Sequence, residues 1–172
     1  DALLAADPKI AAGSLAISVG DTPTCSAVDA FAGVDEVRPG NFVYHDLMQR
    51  ALGVCDDKDL AAFVACPVVA LDAKRGRVVL HGGAVHLSRE HLPGPIYGLA
   101  GCLDGDGDRV MDNVPLVDLS QEHGIVEVRP ESFAAIFGTL EPGDVLPIWP
   151  VHSCLVGETA RPARTLEGAI LD

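Results

Sequence analysis

The apolar positions of this chain change rhythm near residue 53. Before that point, short apolar runs are each followed by a loop containing glycine and then by residues with helical spacing. Ser14-Leu15-Ala16-Ile17-Ser18-Val19 predicts a buried strand ended by Gly20-Asp21, and Cys25 to Ala32 predicts a helix that stops at Gly33. Val34 to Arg38 predicts the next strand, Pro39-Gly40-Asn41 a loop, and Leu47 to Leu52 a second helix. Asp46 and Gln49 form its capping pair and Gly53 its terminator. Two consecutive strand-loop-helix units imply a parallel sheet or barrel. A further helical stretch, Ala2 to Ala6, has no earlier strand to cover its apolar stripe, so the chain is expected to be the later part of a longer protein.

From Cys55 onward the runs shorten and alternate with Gly, Pro and Asp clusters. Phe63 to Leu71, Arg77 to Leu80, Ile96 to Leu103, Ile125 to Val128 and Val145 to Ile148 read as strands of an antiparallel β domain. Only Pro130 to Phe137 reads as a helix, with proline in its first turn and Gly138 at its end. The expected fold is therefore α/β plus β: residues 1–53 as βα units, then 54–172 as a mainly antiparallel β domain.

Composition narrows the function classes. Of 172 residues, 48% are hydrophobic and 22% charged, enough apolar material for a substantial core. A formal net charge of −13 argues against a nucleic-acid partner, which would need an excess of lysine and arginine. The five cysteines are an odd number with no Cys-x-x-Cys pair, which fits a reduced, cytoplasmic setting. No apolar run approaches the roughly 20 residues of a transmembrane helix, so no membrane partner is expected.

Candidate chemistry gathers at strand ends. Trp149-Pro150-Val151-His152-Ser153-Cys154 places an imidazole and a thiol two residues apart at the end of an apolar run, and on an extended backbone such residues share a face. Nitrogen with soft sulfur favours zinc, and two protein ligands leave positions open for water, substrate or a third residue. A hydrogen-bonded histidine beside a small buried cysteine is the plainer alternative. Gly20-Asp21-Thr22 and Gly40-Asn41 place glycine and a polar side chain where backbone N–H groups at a strand end favour an anion such as phosphate; ordinary tight turns are the alternative. Asp104-Gly105-Asp106-Gly107-Asp108 begins like a calcium loop, but Arg109 and Pro115 stand where that loop needs glycine and glutamate, so it reads as a solvated turn. His81, His86 and His123 lie near predicted strand ends, as further ligands, proton carriers or surface histidines.

The segments SVGDTPT (18–24), EVRPGNFVYHD (36–46), LHGGAVHLS (80–88), LSQEHGIVEVRP (119–130) and LEPGDVLPIWPVHSC (140–154) together resemble the carboxyl-terminal half of D-serine dehydratase-like and D-threonine aldolase-like enzymes. These use pyridoxal phosphate on an alanine-racemase type of fold, a βα barrel followed by a β domain. The resemblance implies that residues up to about 53 are the last units of that barrel. It implies that Gly20, Thr22, Gly40 and Asn41 hold the cofactor phosphate, and that His152 and Cys154 are zinc ligands beside the cofactor ring. It further implies a homodimer acting on a small D-amino acid, most simply β-elimination of D-serine to pyruvate and ammonia, with D-threonine aldolase-like Cα–Cβ cleavage as the alternative. The cysteine tilts the choice toward the dehydratase. The family's Schiff-base lysine has no match here, since none of Lys9, Lys58 and Lys74 stands at the end of an early barrel strand; the chain alone is expected to be inactive. Readings from other classes are a non-catalytic metal-binding β domain, similar to cupins but lacking their histidine spacing, and an oligomerisation domain.

Overall fold

The computed structural model describes residues 15–104 and 107–171. The stretch Ala2 to Ala6, Lys9, and Gly105 and Asp106 of the aspartate-rich turn lie outside the described residues. The chain forms two compact units that divide between Phe42 and Val43. That is earlier than the expected boundary near residue 53, because the helix that follows belongs by its contacts to the β unit.

In the first unit, β1 (Ser18–Val19) and β2 (Glu36–Val37) pair in parallel, with Ser18 opposite Glu36 and Val19 opposite Val37. Between them runs α1 (Thr22–Ala27), which begins three residues before the expected Cys25. Asp21 caps it by accepting the Thr24 N–H at 3.0 Å, and Pro23 occupies its first turn, where no backbone donor is needed. A 3-10 turn, Asn41–Val43, follows β2.

The second unit opens with α2 (Leu47–Ala51), capped by Asp46 and ended at Gly53, whose φ of 76° suits glycine. Six strands then close into an antiparallel barrel: β3 (Val64–Asp72), β4 (Arg77–His81), β5 (Gly98–Asp104), β6 (Gly107–Leu119), β7 (His123–Glu127) and β8 (Val145–Pro150), in the order β3-β4-β7-β6-β5-β8. A short helix, α3 (Ala84–Leu87), follows β4, and α4 (Pro130–Phe137) follows β7 over the span read from sequence. After β8 come α5 (Ser153–Thr159) and a small hairpin of β9 (Ala163–Arg164) and β10 (Ile170–Leu171). Among the described residues no helix is long and apolar enough to cross a membrane.

Alternation along the strands fills the barrel. Val78 and Leu80 of β4, Leu116 of β6, Val126 of β7 and Ile148 of β8 have no exposed surface, and Phe133 and Phe137 of α4 join the same cluster with their rings 5.4 Å apart. β8 departs from alternation because both its faces are covered. Leu146 and Ile148 enter the barrel cluster, while Trp149 and then Val151 pack with Leu47, Leu60 and Leu99 in a second cluster beneath α2. That is why Leu146 to Val151 reads as one apolar run.

The paired glycines of His81-Gly82-Gly83 have a packing explanation. A Cβ on Gly82 would lie 2.4 Å from Cys66 Sγ, and one on Gly83 would lie 2.5 Å from the carbonyl carbon of Glu122. We predict that Gly82→Ala lowers the unfolding free energy by about 1–3 kcal/mol through overpacking against the fully buried Cys66. Gly157→Ala in α5, whose nearest neighbour would be Tyr44 Cε2 at 3.8 Å, should instead gain about 0.5–1 kcal/mol. Urea unfolding of the two variants checks both signs.

Candidate metal and cofactor sites

β8 ends at Pro150, and the chain then turns into a helix where an extended segment was expected. His152 sits at the N-cap of α5 with φ −132° and ψ 104°, Ser153 opens the helix, and Cys154 follows in its first turn. The two side chains therefore do not share the face of a strand. The turn is set by a distant carboxylate: buried Asp46 accepts the N–H of buried Ser153 at 2.9 Å through Oδ2 and that of Gln49 at 2.9 Å through Oδ1. A second link runs the other way, from the Met48 N–H to the carbonyl of Val151 at 3.2 Å.

The imidazole is oriented by Glu90, whose carboxylate accepts from Nδ1 of His152. Nε2 is thereby the ring nitrogen left to serve as a ligand, and a carboxylate behind the ring fixes that tautomer. Glu90 reaches this position from a turn in which Ser88 adopts a φ of 64° and its hydroxyl accepts the Glu90 N–H at 3.3 Å. Nothing in the sequence marked Glu90, because its partner lies 62 residues away.

Loss of hydration raises the Cys154 thiol above its ordinary value, and the Asp46 carboxylate raises it further, with Glu90 adding to it. Hydrogen bonds from its own backbone and from Ser153 oppose the shift. Two carboxylates thus disfavour a bare thiolate at this place and favour a cation. The donor set suits a metal: one oriented imidazole nitrogen, one sulfur and negative surroundings, with a bound divalent ion supplying the charge that holds the thiolate. Among the described residues no cluster of three or more His, Cys, Asp or Glu is arranged to hold a metal.

The four residues expected at the phosphate lie in the first unit. Gly20 and Gly40 are exposed just beyond the ends of β1 and β2, while Thr22 and Asn41 are buried and joined, the Asn41 N–H donating to Thr22 Oγ1 at 3.0 Å. The structure thus brings both loops together at one end of the parallel pair. The Asn41 amide is engaged within the protein, and the Thr22 hydroxyl, which accepts that bond, retains its proton for donation to an anion. Arg38 stands beside Gly20, its guanidinium carbon 3.4 Å from where a Cβ would be. Glycines in adjacent loops and a hydroxyl donor form a chemically suitable set for a phosphate, while the Arg38 guanidinium pairs with Glu36 and donates to Ser18 at 2.7 Å.

His81 and His123 are cross-strand partners with rings 5.9 Å apart, and His86 lies 5.1 Å from His81. These three are remote in sequence from the His152 turn and form their own group. Lys58 and Lys74 occupy exposed turns, Lys58 with its Nζ 3.7 Å from Asp56.

The second unit is thus a closed antiparallel barrel with an oriented histidine and a cysteine just past its last strand. The chain belongs to the family described as the Putative serine dehydratase domain, whose model matches residues 61–162. It is 35% identical over 145 residues to D-threo-3-hydroxyaspartate dehydratase of Delftia sp. (strain HT23), covering 82% of this chain and 38% of that protein. The structure of that enzyme superposes with a TM-score of 0.73 at 32% identity, over 91% of this chain and 42% of the other. D-serine dehydratase of Dictyostelium discoideum is 29% identical over 148 residues, 81% of this chain and 36% of that one. D-threonine aldolase of Filomicrobium marinum shares the fold at a TM-score of 0.52 with 20% identity, over 81% of this chain and 35% of that one. The chain thus spans little more than a third of the curated relatives it matches. The Delftia enzyme has also been solved with a histidine changed to alanine and, in a metal-free form, with a cysteine two positions further on changed to alanine.

His86 supplies a pH test. Burial, then His81, lower its pKa below the ordinary 6.5, against a smaller opposite pull from Glu122. Its Nδ1 accepts the Gly83 N–H at 3.3 Å, which protonation would forfeit. A depressed histidine contributes stability above the ordinary value and loses it as pH falls through the folded-state value. We expect the urea midpoint to fall as pH is lowered below the ordinary 6.5, and His86→Gln to flatten that slope.

Proposed function

We propose that this chain is the carboxyl-terminal part of a pyridoxal-phosphate- and zinc-dependent lyase that removes water from a β-hydroxy D-amino acid, with D-serine as substrate and pyruvate and ammonia as products. The observation that carries the reading is His152, held through Nδ1 by Glu90, with Cys154 two residues on in an acidic setting. The same histidine-to-cysteine spacing was altered in the Delftia variants, one of which is metal-free, and this supports His152 and Cys154 as the metal ligands. Family membership and the named dehydratases support dehydration over carbon–carbon cleavage.

When bound, pyridoxal phosphate supplies an electron sink for loss of the substrate's α-proton and zinc a Lewis acid for the departing hydroxyl. The chain's own residues bind and orient. The loops of Gly20, Thr22, Gly40 and Asn41 would hold the phosphate, with the Asn41 N–H steadying the Thr22 hydroxyl that would donate to it. Glu90 keeps the His152 ring in the tautomer that offers Nε2, and Cys154 supplies the sulfur. Lys58 and Lys74 lie on exposed turns, and the Schiff-base lysine would come from the remainder of the enzyme. A homodimer is also part of this reading. Ile17, Val37 and Phe42 of the first unit are exposed, and its two-stranded parallel sheet has open edges on which the remainder of the enzyme would pair.

Metal analysis of the full-length enzyme is the test. Wild type should carry one zinc per subunit and form pyruvate from D-serine. His152→Ala and Cys154→Ala should lose the metal and most turnover, and Cys66→Ala should keep both. Glu90→Gln should bind zinc about 10–100-fold more weakly. Full zinc content after loss of both His152 and Cys154 would place the metal elsewhere.

A further inference from the structure

The two hydrogen bonds between the start of α2 and the His152 turn have a particular relation to that residue. The Val151 carbonyl belongs to the peptide unit before the His152 Cα, and the Ser153 N–H to the unit after it. The Met48 N–H holds the first at 3.2 Å, and Asp46 Oδ2 holds the second at 2.9 Å. The φ and ψ of His152 are the rotations between those two planes, so pinning both planes fixes both angles. Asp46 is 2% exposed and caps α2 through its other oxygen, which makes the anchor itself rigid. Leu47, the residue after it, is 1% exposed and packs with Trp149 and Val151.

We propose that Asp46 is the positioning residue of the metal site: by accepting from Ser153 and Gln49 at once, it sets the backbone from which His152 and Cys154 present their ligand atoms. It does not touch the metal. It locks the direction in which the His152 Cα–Cβ bond leaves the chain, while Glu90 locks the rotation of the ring. It also forces the change from strand to helix that puts Cys154 in the first turn of α5. Backbone and side chain of one ligand are thus held by two carboxylates from different parts of the fold, and preorganisation of this kind reduces the entropy lost when a metal binds. This inference rests on His152 and Cys154 being the ligands.

The experiment measures zinc affinity of the full-length enzyme by competition with a chromophoric chelator, and records the sulfur-to-metal charge-transfer band of the cobalt(II)-loaded protein. Asp46→Ala should weaken zinc binding about 10–100-fold and broaden or shift the cobalt band, as loss of an outer-shell partner does. Asp46→Asn keeps one acceptor oxygen, so it should fold and lose less affinity than the alanine variant. If the alanine variant fails to fold, the asparagine variant decides. Leu60→Ala serves as control: it removes packing from the same apolar cluster without touching either pinned peptide, and should lower the melting temperature with zinc affinity unchanged. Wild-type affinity and band in folded Asp46 variants, with the metal still lost in His152→Ala and Cys154→Ala, would overturn the positioning role alone. Absence of metal binding by wild type would overturn both readings.

Discussion

Closure of the barrel by β8 is the constraint on which the rest of the second unit depends. Its residues pair with β3 on one side, Val64 opposite Ile148, and with β5 on the other, Gly98 opposite Pro150. The sheet thereby has no open edge within the barrel, and every interior position can be filled from six directions. Because β8 is covered on both faces, its last residues are among the most deeply buried in the chain; Ile148, Trp149 and Val151 are at most 1% exposed. The turn that follows starts from a rigid base.

What the turn carries follows from where it begins. Val151 still belongs to the core, Ser153 is buried again, and His152 between them is the first side chain able to reach outward. A side chain placed two residues beyond the closing strand inherits the precision of the barrel, as one on a long loop would not. Loss of hydration first, and then the carboxylates of Asp46 and Glu90, raise the Cys154 thiol above its ordinary value, against hydrogen bonds from its own backbone and Ser153. By contrast the buried Cys66 thiol, pushed up to about 12 by loss of hydration alone, is packed against Gly82 and serves the core.

Local signals were legible in the sequence and long-range ones were not. The Asp46 cap, the stop at Gly53 and the helix from Pro130 to Phe137 each rest on a few adjacent residues, and the structure has them where the pattern put them. Five of the six barrel strands were visible as apolar runs. The sixth, Gly107–Leu119, is the longest strand, yet Asp108, Asp112, Asn113, Pro115 and Asp118 interrupt its apolar residues and imitate turn chemistry. It is a strand because its neighbours β5 and β7 supply the ladder, a tertiary cause that overrides propensity. The His152–Cys154 pair was visible, but its conformation was not. An extended segment was the local expectation, and the helix start depends on a carboxylate 107 residues away.

One imidazole and one sulfur from this turn are proposed to bind the same ion. X-ray absorption at the zinc edge of the metal-loaded full-length enzyme tests it most directly. The expected spectrum has a sulfur scatterer at about 2.3 Å together with the outer-shell scattering of an imidazole whose nitrogen lies at about 2.0–2.1 Å. A first shell of oxygen and nitrogen alone, with no sulfur, would contradict it.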